Sequence, residues 1–300
     1  MADLVTRAAP AAPGIREFGG RPFDLSRRVL VGAVVDVTPD SFHRPGTTFR
    51  FEDALAACRL AEEEGADWLD LGGVAYAPGA WVPASEELDR LLPVVAAAAE
   101  RTGLVISVDT MRADVAREVI AAGATIVNDA SGLKDPAIAD VAAETGAGLI
   151  VTHAGDGPGT PSLRPSYDDV TAEVVGFLRR QVRFCLDRGV RPEQLVVDPG
   201  IDLHKNTYHS LELVRRMDEL TELGYPVLAA VSNKDFVGEA IGELRSEDRL
   251  EGSLATTVAC ILQGARLVRA HDVRATVRAV RMTEVLLGMH RPALALHNLV

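Results

Sequence analysis

From Val29 onward the chain alternates short continuous apolar runs with longer stretches whose apolar positions recur every three or four residues. The runs are too short for lone helices and are rich in Val, Leu and Ile, which suits strands buried on both faces of a parallel sheet. They predict strands at 29–37, 68–71, 105–108, 125–127, 149–152, 195–197, 227–230 and 267–268. The periodic stretches predict helices at 51–64, 85–100, 112–122, 136–145, 167–188, 208–223, 250–263 and 274–287. Four junctions repeat one device, a Gly-Ala pair between helix and strand: Gly65-Ala66, Gly123-Ala124, Gly146-Ala147 and Gly264-Ala265. Such a glycine can end a helix in the left-handed region. Eight strand-helix units in succession predict a single (β/α)8 TIM barrel over residues 29–290. Residues 1–28 lack a sustained period and read as a loosely held N-terminal arm with a short strand near Arg21 to Phe23; residues 291–300 read as an apolar C-terminal tail. A doubly wound open sheet is the rival, but no Gly-x-Gly-x-x-Gly turn follows the first strand.

Composition narrows the function. The 300 residues are 47% hydrophobic, enough for a large core without staples. A net charge of −12 and a pI near 5.1 leave no basic field for a nucleic-acid backbone. No apolar run approaches the roughly 18 residues that span a bilayer, and the chain does not open on a signal-peptide pattern, so a cytoplasmic protein is expected. Cys58, Cys185 and Cys260 are far apart, fall in predicted helices and lack metal-ligand spacing; reduced thiols are the plain expectation.

In a TIM barrel the chemistry sits on the loops that follow the strands. Here those loops hold Asp36 with Thr38-Pro39-Asp40-Ser41-Phe42, then Asp70, Asp109, Asn128-Asp129, His153, Asp198, Ser232-Asn233-Lys234-Asp235 and Arg269-Ala270-His271-Asp272. Any one Asp can be a helix cap or a turn residue, as expected for Asp40 and for the hydroxyl of Ser131. Several carboxylates, an amide, a Lys, an Arg and a His converging on one mouth point instead to a ligand pocket.

The blocks VTPDSF from Val37, SVDT from Ser107, NDASG from Asn128, DPGI from Asp198, SNKDFVG from Ser232 and RAHDV from Arg269 resemble, in order and spacing, the signature blocks of the dihydropteroate synthase family. In that family p-aminobenzoate displaces pyrophosphate from hydroxymethyldihydropterin pyrophosphate, with Mg²⁺ on the phosphates. The resemblance implies pterin recognition by Asp109, Asn128, Asp198 and Lys234, with Arg269 over the ring. It implies phosphate and metal contacts through Asp36, Arg269 and His271, a catalytic set of Lys234, Arg269 and His271, and a homodimer. The chemistry agrees: a pterin's edge of adjacent donors and acceptors suits carboxylates and amides, and an Arg offers a flat cation to its face. An interior ion pair of Asp198 with Lys234 is the plainer alternative.

The departures concern the other substrate and the loops. Asp36 stands where the family has Asn. A carboxylate there is a good Mg²⁺ ligand, but without the metal two charges at about 5 Å and an effective dielectric of about 20 repel by roughly 3 kcal/mol. Val74, Ala75, Tyr76 and Ala77 replace the polar Glu-Ser-Thr-Arg of the second loop. Asn233 and Asp235 replace Arg and Ser, and Asp235 is expected to cap its helix and oppose a substrate carboxylate. Asp202 replaces a glycine, and Arg44 is a candidate to restore some positive charge. These changes predict a pterin-binding relative with weak or absent synthase activity, taking a pterin or aromatic amine. The alternatives are a working synthase and a pterin-linked methyl-transfer barrel, although no cobamide-binding module is evident.

Overall fold

A computed structural model of the chain describes residues 14–39, 46–75, 82–155 and 164–297. Two short strands, β1 (Ile15–Phe18) and β2 (Arg21–Asp24), form an antiparallel hairpin. The strands β3 (Leu30–Asp36), β4 (Trp68–Gly72), β5 (Val105–Asp109), β6 (Ile126–Asp129), β7 (Gly148–Thr152), β8 (Leu195–Asp198), β9 (Leu228–Ala229) and β10 (Leu267–Ala270) make one parallel sheet. Its order is β8-β7-β6-β5-β4-β3-β10-β9, and a bridge between Val197 and Val227 brings its two ends together into a nearly closed barrel. The helices around it are α1 (Phe51–Glu63), α2 (Ala84–Arg101), α3 (Ala113–Ala121), α4 (Ala137–Thr145), α5 (Val170–Asp187), α6 (Thr207–Arg215), α7 (Met217–Thr221), α8 (Asp235–Ile241), α9 (Leu250–Leu262) and α10 (Val273–Leu286).

The strand residues are buried on both faces, which is why they read as apolar runs rather than alternating ones. The inward faces form layers. Leu30, Trp68, Val105, Ile126, Ile150, Val196, Leu228 and Leu267 cluster as an apolar floor. Trp68 fits there because Gly32 has no side chain: a Cβ on Gly32 would stand 2.1 Å from the indole Cε2. Two residues further along each strand, on the same face, come Gly32, Asp70, Ser107, Asn128, Thr152, Asp198, Ala230 and Arg269. The barrel therefore changes from apolar to polar within one strand repeat, below the mouth.

The strand β2 falls where a short strand was expected, near Arg21 to Phe23, but its pairing with β1 and its packing on the barrel differ from a loosely held arm. Phe18 and Phe23 are buried and join the floor cluster together with Leu25, so the hairpin stoppers the lower end of the barrel. The helix expected over 208–223 is broken at Arg216 (φ −115°, ψ 28°), where the guanidinium binds Asp169, Glu212 and Glu219. The short helix α8 was not expected from periodicity. Gly146 is the left-handed C-cap of α4 (φ +77°), and the other three Gly-Ala junctions also have positive φ. Cys58, Cys185 and Cys260 are free and buried, and burial pushes each thiol up to about 12, which leaves them inert. Among the described residues no helix is long and apolar enough to cross a membrane.

Candidate functional site

Asp70 organises the mouth. It stands third in the apolar strand β4, almost wholly buried, and its Oδ2 accepts from Arg269 Nη1 on β10 and from Asn128 Nδ2 on β6 (2.9 Å). Arg269 also lies 3.7 Å from Asp109 Oδ2 on β5. Strands β4, β5, β6 and β10 thus present Asp70, Asp109, Asn128 and Arg269 as one connected group. Two of its atoms, Asp70 Oδ1 and Asn128 Oδ1, are buried without a hydrogen-bond partner.

Carboxylates outnumber cations in this group. Burial, reinforced by the charge of Asp70, raises Asp109 to about 8 although Arg269 opposes it. Burial likewise raises Asp36 to about 6, with Arg269 and Lys234 pulling the other way. Burial works against the charge on Arg269, but Asp70, Asp109 and Asp198 outweigh it and hold the guanidinium firmly protonated. Asp198, at the end of β8, is raised by burial; its Oδ1 accepts the Gly200 amide at 2.7 Å. Lys234 is lowered by burial and supported by Asp202 and Asp198. Burial acts on every one of these groups, and the charges of the mouth act on one another.

The structure brings Asp36, Asp109, Asn128, Asp198, Lys234 and Arg269 into one electrostatic neighbourhood at the barrel mouth. The main-chain N–H of His271 donates to Ser232 Oγ (3.1 Å), and its Nδ1 lies 3.1 Å from the same oxygen, so the ring is steered by the loop after β9. Val74 and Ala75 line a small cavity with Glu87, Asp109, Thr110, Met111 and Ala130, where Glu87 is held by Thr110 and Arg112. Ser131 is the turn residue expected, donating its hydroxyl to Asp129. Tyr76, Ala77, Asp40 and Arg44 lie outside the described residues.

Asn233, expected on the aminobenzoate side, is buried at φ +57°; its main-chain N–H donates to Ser253 Oγ (2.9 Å), its main-chain carbonyl accepts from Arg249, and its side-chain Oδ1 accepts from Ser253 Oγ (3.2 Å). One expectation is corrected. Asp235 does not cap its own helix. Its carboxylate is largely exposed and pairs with Arg249 Nη1 at 2.8 Å. The carboxylate that accepts from the first turn of α8 is instead that of Asp202, whose Oδ2 takes the Asp235 amide at 2.9 Å.

Asp70 was read among the strand ends but had no assigned partner there, and two further residues, Lys205 and Arg249, escaped that reading. Lys205 is buried, with Nζ donating to the carbonyls of Gly200 (2.8 Å) and Leu203 (2.9 Å) and lying 2.9 Å from His153 Nδ1. Arg249, buried beneath α8, carried no signal beyond its position before a helix.

A barrel whose polar mouth unites carboxylates, an amide and a guanidinium on strand ends is the setting in which the comparisons fall. The profile of the pterin binding enzymes matches residues 32–271. A curated relative named inactive dihydropteroate synthase 2, from Mycobacterium leprae, is 44% identical over 286 residues, covering 93% of this chain and 98% of its own. The dihydropteroate synthase of Escherichia coli K12 is 40% identical over 270 residues, covering 90% and 95%. The crystal structure of the Yersinia pestis dihydropteroate synthase with a sulfonamide drug superposes with a TM-score of 0.87 at 34% identity, over 92% of this chain and all of that one. The chain belongs to the pterin-binding enzymes, and among them to the dihydropteroate synthase family.

Proposed function

We propose that this chain holds a pterin at the barrel mouth and has weak or no activity in joining it to p-aminobenzoate. One observation carries the pterin half: Asp70 Oδ1 and Asn128 Oδ1 are buried acceptors without partners, beside a fixed guanidinium. Buried polar atoms need partners, and the amino and ring N–H edge of a pterin supplies donors. Asp198 and Asp109 read the same edge, Lys234 donates to a ring acceptor, and Arg269 covers the face and reaches the leaving group with His271. The weak half rests on Val74 and Ala75, which offer no side-chain donor beside Asp109, and on the likeness to a relative named inactive.

Mg²⁺, which the family resemblance implies, fits in a limited way. Among the described residues no three His, Cys, Asp or Glu side chains form a metal site. Asp36 offers one hard oxygen, which suits an ion held mostly by phosphate oxygens and water. There the ion would offset the charge of a diphosphate. The exposed Leu262, Met282 and Leu286 on α9 and α10 support a homodimer, and a cytoplasmic location accords with the reduced thiols.

Titration calorimetry with a dihydropterin tests the pocket: the wild type is expected to bind and Asp198→Ala to bind at least about tenfold more weakly. Unchanged affinity in the variant counts against the pocket. Expression in a strain deleted for its own synthase tests the rest. No growth is expected without added folate end products. Rescue would establish the alternative, a working synthase, which the retained Lys234, Arg269 and His271 and the 40% identity to the E. coli enzyme favour.

A further inference from the structure

The loop between β8 and α6 holds two side-chain-bearing residues in the left-handed region, Asp202 at φ +71° and His204 at φ +53°. Glycine takes that conformation freely and other residues take it at a cost, so a persistent outlier invites a functional explanation. The loop is fastened there. Lys205 Nζ ties the carbonyls of Gly200 and Leu203, Tyr167 donates its hydroxyl to the His204 carbonyl at 2.9 Å, and the Asp202 amide donates to Ser210 Oγ at 3.2 Å.

What this fastening presents is the Asp202 carboxylate. It accepts the amide of Asp235, the residue next to Lys234, at 2.9 Å; burial raises its pKa and the charge of Lys234 lowers it. The other acid nearby, Asp235, is largely exposed and paired with Arg249. Among the described residues, Arg269 is committed to Asp70 and Asp109, and Lys205 to carbonyls and His153. An anionic group arriving beside Lys234 therefore meets a resident carboxylate already in place.

We propose that Asp202 is a specificity-determining residue, an internal carboxylate that excludes aromatic amines bearing their own carboxylate and leaves the mouth selective for neutral ones. The proposal deepens the function proposed above and rests on an aromatic amine docking beside the pterin. It also moves the source of the charge conflict from Asp235, where the sequence alone placed it, to Asp202.

The test is direct titration of the full chain, with dihydropterin present, using p-aminobenzoate and its neutral amide p-aminobenzamide. Asp202→Gly suits the positive φ and removes the carboxylate; Asp202→Asn keeps its shape and an acceptor but not its charge. The wild type is expected to prefer the amide. Asp202→Gly should raise p-aminobenzoate affinity about tenfold or more while the amide changes by no more than about twofold. Asp202→Asn should fall between. A carboxylate affinity no higher in Asp202→Gly than in the wild type, including no binding by either, overturns the proposal. The same titrations begin with dihydropterin alone. Absence of pterin binding defeats the proposed pocket instead, and the aryl ligands are then compared without pterin by the same criterion.

Discussion

Lys205 holds its ammonium group in the wall of the mouth, where burial pushes its pKa from 10.5 down to about 7 although Asp198 and Asp202 support the charge. The partner ring, His153, is pushed down to about 3 by burial and by Lys205 itself, so it stays neutral with Nδ1 2.9 Å from the Lys205 Nζ. A lysine with a lowered folded pKa makes the unfolded chain bind more protons between pH 7 and 10.5. Stability then rises with pH across that window. Lys205→Met loses hydrogen bonds at every pH, so the slope is the diagnostic. Between pH 7 and 10 the wild type should gain about 2 to 4 kcal/mol relative to the variant in denaturant titrations. Parallel curves would mean that Lys205 titrates as it does in water. None of this was legible beforehand: Lys205 and His153 are 52 positions apart, and only the turn that closes after Asp198 brings them together. Asp109, Asn128, Asp198 and Arg269 were legible because polar residues at the ends of apolar strands have few other reasons to be there. The direction of Asp235 was not, since it depends on Arg249, fourteen residues on and buried under a helix too short to show a period.

Among the elements, strands and long helices announced themselves through burial. A strand covered on both faces must be apolar throughout, and a surface helix must carry a stripe, so both leave a period in the chain. The β1–β2 hairpin leaves neither. Its four-residue strands bury Phe18 and Phe23 singly, and the purpose of those rings is apparent only once the barrel floor of Trp68, Ile126, Ile150 and Val196 stands above them. The hairpin closes the end opposite the site, which separates stability from binding. Phe18→Ala should cost about 3 to 5 kcal/mol of stability, because the floor cannot collapse into the space left. Pterin affinity at a temperature where the variant remains folded should be unchanged. Calorimetry of unfolding and of binding on one preparation checks both, and a weakened site would show that the lower closure supports the mouth through the barrel.

For the whole molecule, the remaining apolar surface decides how the barrel is presented. Isolated exposed leucines are ordinary on a soluble protein and carry no inference by themselves. Met282 and Leu286 are different, since they stand one turn apart on α10, 56% and 70% exposed, and α9 beside it ends with Leu262 half exposed. Thr283 and Glu284, between them, face inward, so the pair lies on the outer side of the helix. A two-fold axis, the commonest symmetry of soluble oligomers, would set such a stripe against its own copy. It also lies on the barrel wall, clear of the strand ends that form the site. We therefore expect a homodimer whose formation leaves the mouth open, and whose Tm rises with protein concentration because folding and association are linked. Introducing charge into the stripe with Met282→Glu and Leu286→Glu together should yield a folded monomer that retains dihydropterin affinity. Sedimentation velocity of the wild type and of the double variant provides the measurement. A wild type that sediments as a monomer at tens of micromolar would remove α10 as an interface, and a double variant that stays dimeric would place the two-fold contact elsewhere on the barrel.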